Sequence, residues 1–264
     1  MRTYRYVKLD PTGNTTCLVL DPAENGDEKK LTRELLKECE QVAYLEEPSL
    51  PGAVAAIRLM GGEFCGNAAM AAGAWLVRDE LAAGSEMSFL MQVSGAPEPV
   101  SCRVRRTGDG FEGTVEMPPI KEIREESIGG LPFTLVRMDG IVHLIREGDA
   151  LGKEDAEQLL KQAAAGLEDD AVGLLQWNRD AQYMRPLVYV RGSESLVWEN
   201  GCGSGSAAVG AAEALRAGNG IQVTQVKQPG GVISVSAEAQ DGNILSVQIA
   251  GRVRLNTETA VEIP

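Results

Sequence analysis

Two stretches decide the reading of this chain: Cys65-Gly66-Asn67-Ala68-Ala69-Met70-Ala71-Ala72 and, 137 positions later, Cys202-Gly203-Ser204-Gly205-Ser206-Ala207-Ala208-Val209. Each opens on cysteine and glycine and continues in small, uncharged residues. A helix that is apolar all round is a buried helix, and small side chains let the surrounding backbone approach closely. Ala68–Leu81 and Ser204–Leu215 are therefore read as two central helices, each wrapped by a curved sheet; a helix packed between flat layers is the plain alternative. A second pair of stretches supports duplication. Val93-Ser94-Gly95 answers to Gln228-Pro229-Gly230-Gly231 at an offset of 135, and an alternating run follows each one: Val100, Cys102, Val104 and then Val232, Ser234, Ser236. Matching offsets at two places imply a repeated unit of about 130 residues, and a chain of 264 residues holds two of them.

Outward from these motifs, strand-like runs cover Tyr4–Leu9, Thr16–Leu20, Val54–Met60, Ser88–Val93, Val100–Arg106 and Phe111–Met117. In the second half they cover Phe133–Met138, Gly140–Arg146, Ala171–Gln176, Gln182–Val190, Gln222–Lys227 and Ile244–Ala250. A helix is expected from Glu28 to Glu40, with Asp27 as its N-cap and Leu31, Leu35 and Cys39 on one face. Lys153–Ala165 is its counterpart. The charged, aperiodic stretch from Pro118-Pro119 to Gly129-Gly130 reads as the boundary. The expected domains are residues 1–124 and 125–256.

Composition narrows the function. The 25 Lys and Arg against 38 Asp and Glu leave a net charge of −13, which repels nucleic acid and anionic membrane surfaces alike. No apolar run reaches the ~18 residues of a bilayer span. Met1–Asp10 carries Arg2, Arg5 and Lys8 without an apolar run, so it does not read as a signal peptide and the expected location is the cytoplasm. Five cysteines without a CxxC form neither a disulfide framework nor a zinc site, and the one histidine leaves little to build a metal site from.

Cys65 and Cys202 are the candidate catalytic residues. Each would sit at a helix N-terminus, where unpaired N–H groups and the helix dipole stabilise a thiolate and bind a carboxylate. Gly66, Gly203 and Gly205 leave the helix starts bare enough for a ligand to touch backbone. Two such motifs related by a repeat predict two thiols facing one another across an interdomain cleft. One would take a proton from a carbon acid and the other return one to the opposite face, inverting the centre. Two thiols so placed also predict reversible oxidative inactivation. Cys17, Cys39 and Cys102 fall on apolar-periodic positions and read as core. Gly203-x-Gly205-x-x-Ala208 matches a dinucleotide fingerprint in form, but no acidic residue follows near Gln222–Lys227 to hold a ribose. His143 and the Glu46-Glu47 pair have plain readings as a core group and a surface pair. Asn14 reads first as a turn residue, and Glu199, three positions before Cys202, stands near enough to tune that thiol or orient a substrate.

Gly13-Asn14, Glu63-Phe64-Cys65-Gly66-Asn67-Ala68, Trp198-Glu199-Asn200-Gly201-Cys202-Gly203-Ser204-Gly205 and Gln228-Pro229-Gly230-Gly231 resemble the diaminopimelate epimerase-like superfamily. Pro11–Thr16, Glu40–Glu46, Val93-Ser94-Gly95, the surroundings of Arg185-Pro186-Leu187 and Val197–Asn200 are similar to its histidine racemase branch, that of staphylopine-type metallophore biosynthesis. The resemblance implies an α+β fold of two pseudo-symmetric domains, each a curved, barrel-like mixed sheet around a central helix, with residues 257–264 returning to the first domain. It implies an amino-acid racemase free of pyridoxal phosphate, with no cofactor and no metal, acting on a small amino acid, most closely histidine. It makes Cys65 and Cys202 the acid–base thiols. It sets Gly66, Asn67, Gly203 and Ser204 on the substrate carboxylate, Asn14 on the substrate, and Glu46, His143 and Glu199 among nearby polar groups. A homodimer is implied by resemblance alone. Arg58–Glu63 and Ser193-Glu194 depart from the diaminopimelate epimerase pattern, which argues against diaminopimelate as substrate. Another free amino acid, such as a diamino acid or a hydroxyproline-like imino acid, stands as an alternative substrate, with Glu46 and Glu199 favouring a cationic side chain, histidine included; a catalytically inactive binding module stands as another.

Overall fold

The computed structural model describes residues 1–24 and 26–263; Pro264, the last position of the expected returning strand, lies outside the described residues. The chain forms two compact units, one made of Met1–Glu116 with Ala250–Pro264, the other of Met117–Ile249. In the first, β1 (Arg2–Pro11), β2 (Thr16–Val19), α1 (Glu28–Leu35), β3 (Gln41–Glu46) and β4 (Ala53–Leu59) lead into α2 (Gly66–Val77), and β5 (Glu86–Val93), β6 (Val100–Thr107) and β7 (Gly110–Glu116) follow it. In the second, β8 (Glu122–Ile128), β9 (Leu131–Met138), β10 (Ile141–Glu147), α3 (Lys153–Ala165), β11 (Ala171–Asn178), β12 (Tyr183–Val190) and β13 (Ser195–Trp198) lead into α4 (Gly203–Ala217), followed by β14 (Gly220–Gln228), β15 (Gly231–Gln240) and the start of β16 (Asn243–Ile263). From Ala250 onward β16 belongs to the first unit.

The strands of the first unit run in sequence from β1 to β7 and on to β16, which pairs antiparallel with β1 from Arg2↔Ile263 to Pro11↔Val253, so the sheet closes on itself. Inside lies α2, in contact with β1, β2, β5, β6 and β7. Every residue of α2 except Leu76 is buried, as an uncharged helix of alanine, glycine and methionine requires. Gly113 of β7 sits against Met70, where a Cβ would come within 2.8 Å of the methionine Cβ. In the second unit α4 contacts β9, β10, β11, β14 and β15 in the same manner. There Gly210 faces Val235, and a Cβ would meet the valine at 2.3 Å. The small residues of the two motifs are thus the space into which the sheets fold.

A second helix in each unit packs outside the sheet. Its crossover joins two parallel strands, β2 to β3 through α1 and β10 to β11 through α3. Leu31 and Leu35 of α1 are buried against Tyr4, Tyr6, Cys17 and Val42; full burial of a leucine contributes about 1.5–3 kcal/mol. Ala156, Leu160 and Ala163 of α3 pack on Leu135, Leu144, Leu174 and Leu187. Cys17, Cys39 and Cys102 are core residues, and burial pushes the Cys102 thiol up to about 12.

Three local expectations are corrected. The Glu28–Glu40 helix ends at Leu35, where turns take over and the Cys39 thiol donates to the Leu35 carbonyl at 3.2 Å. The Asp27 side chain makes no cap bond; its carboxylate instead accepts from Arg2 at 2.8 Å and Tyr4 at 3.0 Å, and the Arg2 guanidinium holds it below the usual carboxylate range. The stretch read as an aperiodic boundary contains β8, paired antiparallel with β9. Its charges hid the strand: Arg124 pairs with Glu122 and Glu126, and Glu122 with Arg137. Charged side chains suit an edge strand because they discourage further pairing.

Candidate active site

Both motif cysteines are helix N-caps. Cys65 takes extended backbone angles (φ −137°, ψ 109°) before α2, and Cys202 does the same (φ −109°, ψ 108°) before α4. Each sulfur turns back over its own helix and accepts a first-turn amide: Ala68 N–H at 3.5 Å for Cys65, Gly205 N–H at 3.3 Å for Cys202. Serine, threonine or aspartate usually fills this role; here the capping atom is a nucleophile. The preceding amides of the first turn, Gly66 and Asn67 in one helix and Gly203 and Ser204 in the other, are groups that an α-helix cannot satisfy internally.

The second repeated pair of stretches buttresses the first. Ser94 Oγ accepts from Leu59 N–H at 2.9 Å and donates to the Glu63 carbonyl at 2.8 Å. Gly95, at φ +75°, lies so near the Phe64 amide that a Cβ would meet its nitrogen at 2.3 Å. These contacts fix the approach to Cys65. In the other unit Gln228 accepts from Cys202 N–H at 2.7 Å and donates to Ser206 Oγ at 2.9 Å, while Gly230 N–H donates to the Asn200 carbonyl at 2.7 Å. The paired glycine segments of the sequence are these two supports.

Around Cys65 several amide side chains gather. Gln41, the first residue of β3, donates from Nε2 to the sulfur at 3.3 Å and to Asn14 Oδ1 and Thr16 Oγ1 at 2.8 Å each. Asn14 Oδ1 also accepts from Asn67 Nδ2 at 3.2 Å, lies 4.0 Å from the Cys65 sulfur, and Asn14 Nδ2 donates to Glu40 at 2.9 Å. The turn that aims Asn14 is built by Thr12 and Gly13, both at positive φ, with Gly13 N–H held by Asp10 at 2.7 Å. Asn14 and Asn67 are thus brought to Cys65. Gln41 and Glu40 stand there too, although the sequence pattern assigns neither of them a role. Their signal was a polar pair at the head of an otherwise apolar strand. Glu46 lies at the other end of β3, where its carboxylate accepts from Arg58 Nε at 2.7 Å; Arg58 also pairs with Glu28 and covers the Tyr44 ring.

Around Cys202 the partners are an acid and a hydroxyl. Ser204 Oγ lies 3.7 Å from the sulfur and 3.0 Å from His143 Nε2. Glu199 also hydrogen bonds to the thiol. Burial first, then the Glu199 charge, hold the Cys202 thiol well above its ordinary value. His143 is fully buried and its pKa is pushed down to about 3 by that burial, so the ring is neutral. It fits because its neighbour in the parallel register is Gly173: a Cβ there would stand 2.2 Å from His143 Nδ1. Next to this group lies a pocket of about 270 Å³ lined by Lys153, Arg185, Pro186, Trp198, Glu199, Asn200 and Pro229.

The fold is shared with solved racemases and epimerases. A probable proline racemase from Agrobacterium radiobacter K84 superposes with a TM-score of 0.75, covering 99% of this chain and 93% of its own at 14% identity, which speaks for the fold alone. A family profile described as the histidine racemase CntK N-terminal domain matches residues 3–261. The histidine racemase of Fusobacterium nucleatum subsp. nucleatum is 30% identical over 98% of this chain and 97% of its own, and that of Staphylococcus aureus is 26% identical over 88% of each. The chain belongs to the histidine racemase family and is an isomerase, an amino-acid racemase. Among the described residues no helix is long and apolar enough to cross a membrane.

Proposed function

We propose that this protein interconverts L- and D-histidine without pyridoxal phosphate, by two-base proton transfer between Cys65, Cys202 and the α-carbon. The observation that carries the reading is the double cap: in each unit the sulfur accepts a helix amide at 3.5 or 3.3 Å beside further first-turn amides that suit a carboxylate. Those amides supply preorganised stabilisation for the charge that develops on the substrate as its α-proton leaves. The sulfur environments suggest which group starts as base in one direction; each transfer leaves the former base protonated and the former acid a thiolate, so the roles exchange in the other direction. Cys65 faces amide donors from Ala68 and Gln41, which favour a base. Cys202 is held as a thiol beside Glu199, which favours an acid. Histidine as substrate is supported by the histidine racemase relatives. A homodimer, a cytoplasmic location and a place in metallophore biosynthesis belong to the same proposal.

Proton NMR in deuterium oxide, with reductant and a panel of L-amino acids, tests it. Loss of the histidine α-proton signal with D-histidine appearing on chiral chromatography is the expected outcome. Exchange on a different amino acid would overturn the specificity, and no exchange on any member would overturn the catalytic reading.

A further inference from the structure

The pocket beside Cys202 contains an arginine without a polar partner. Among the described residues Arg185 is the one partly buried arginine with neither a carboxylate nor a carbonyl bonded to it; its contact is with the Trp198 ring, 5.0 Å from the guanidinium carbon. A guanidinium that lines a pocket with no protein acceptor has donors available for a ligand. Elsewhere the half-buried arginines are satisfied: Arg58 by Glu28 and Glu46, Arg137 by Glu122 and Asp169, Arg106 by main-chain carbonyls. The Arg185 environment is built to hold it in place. The Trp198 indole is anchored through its N–H to Glu157 at 3.0 Å, and β12 and β13 are in register at Leu187↔Trp198. Glu199 N–H donates to the Pro186 carbonyl at 3.1 Å, and Glu199 and Arg185 both line the pocket. Lys153, at the start of α3, adds a second cation, and Pro186 and Pro229 add apolar wall.

We propose that this pocket receives the substrate side chain and that Arg185 determines specificity, donating to the acceptor nitrogen of a neutral imidazole while Glu199 accepts from the ring N–H. The proposal rests on the histidine racemase reading and adds the protonation state of the side chain. A neutral imidazole offers one acceptor and one donor, which match a guanidinium and a carboxylate. Trp198 and the two prolines suit a flat ring. The ammonium groups of diamino acids meet Arg185 and Lys153 and are repelled, which reverses the expectation that acidic residues select a cationic side chain. An imidazole titrates near ~6.5 in water, so KM for histidine rises as pH falls through that value.

The test is steady-state kinetics of the full chain and of Arg185→Gln and Arg185→Lys on L-histidine, L-ornithine and L-glutamate. Loss of one charge-assisted hydrogen bond is expected to raise KM for L-histidine about 10- to 100-fold in Arg185→Gln, with kcat within a few-fold. Arg185→Lys, which keeps the charge but loses the planar fork, falls between. An unchanged KM in Arg185→Gln overturns the inference, as does turnover of L-ornithine or L-glutamate rivalling that of L-histidine in the parent. If Arg185→Gln fails to fold, titration of imidazole into the parent and Arg185→Lys by ligand-observed NMR decides: weaker binding in the variant supports the proposal and equal binding removes it. Exchange on no amino acid by the parent overturns both readings. Normal histidine turnover with an indifferent Arg185→Gln removes this one alone.

Discussion

The two cysteine sites share a frame and differ in what faces the sulfur. Each sulfur caps a buried helix and is braced by a glycine-bearing turn. Cys65 then meets Gln41, whose register partner across β2 and β3 is Thr16, two polar side chains bonded to each other. Cys202 meets Ser204, and the His143 that reaches Ser204 has Gly173 as its register partner, with no side chain at all. A duplicated scaffold thus supplies similar backbone chemistry, and side chains on neighbouring elements make the sites unequal. In the proposed mechanism one group holds a proton while the other lacks one, and the two exchange states with each turnover.

The largest expected effect breaks the comparison at its shared part. Cys65→Ala and Cys202→Ala each remove a proton-transfer group and should lower turnover about 10²- to 10⁴-fold or more, measured by α-proton exchange. Wild-type turnover in both variants would end the two-thiol mechanism.

Gly173→Ala probes the second site alone. The new methyl collides with the His143 ring, and overpacking of this kind costs about 1–3 kcal/mol, read as a lower midpoint in urea unfolding. An unchanged midpoint would mean that the ring has room to move and is not wedged by its neighbour.

Glu199→Gln sharpens the contrast in proton affinity. The carboxylate charge disfavours the Cys202 thiolate. Its removal should move the pH midpoint of Cys202 alkylation downward, followed by mass spectrometry of the labelled peptide, and leave the Cys65 peptide unmoved. A shift in both peptides, or in neither, would remove Glu199 from its assigned place.

The last comparison concerns how stability depends on pH. His143 stays neutral in the folded protein down to about 3, whereas an unfolded chain takes up its proton near ~6.5. Between those values the unfolded state binds more protons, so stability falls as pH falls. His143→Gln should flatten that part of the stability profile measured by urea unfolding; an unchanged slope would assign the acid sensitivity to other groups.

The sequence by itself determined the two central helices, their capping cysteines, the duplication and the strands with regular alternation. These depend on local composition: an uncharged run of alanine and glycine reads as a buried helix, and a cysteine before such a run stands at its N-terminus. Strand β8 escaped because its salt-bridged charges erase the alternation that marks a half-buried strand. Tertiary structure alone decided the partners of the sulfurs. Gln41 reaches Cys65 across 24 positions and His143 reaches Ser204 across 61, both through strand register and helix placement. The same register carried Glu46 to an ion pair with Arg58 and left Arg185 over Trp198 beside Glu199. A side chain's neighbours along the chain say whether it is buried; which distant group it meets there is a property of the packed sheet.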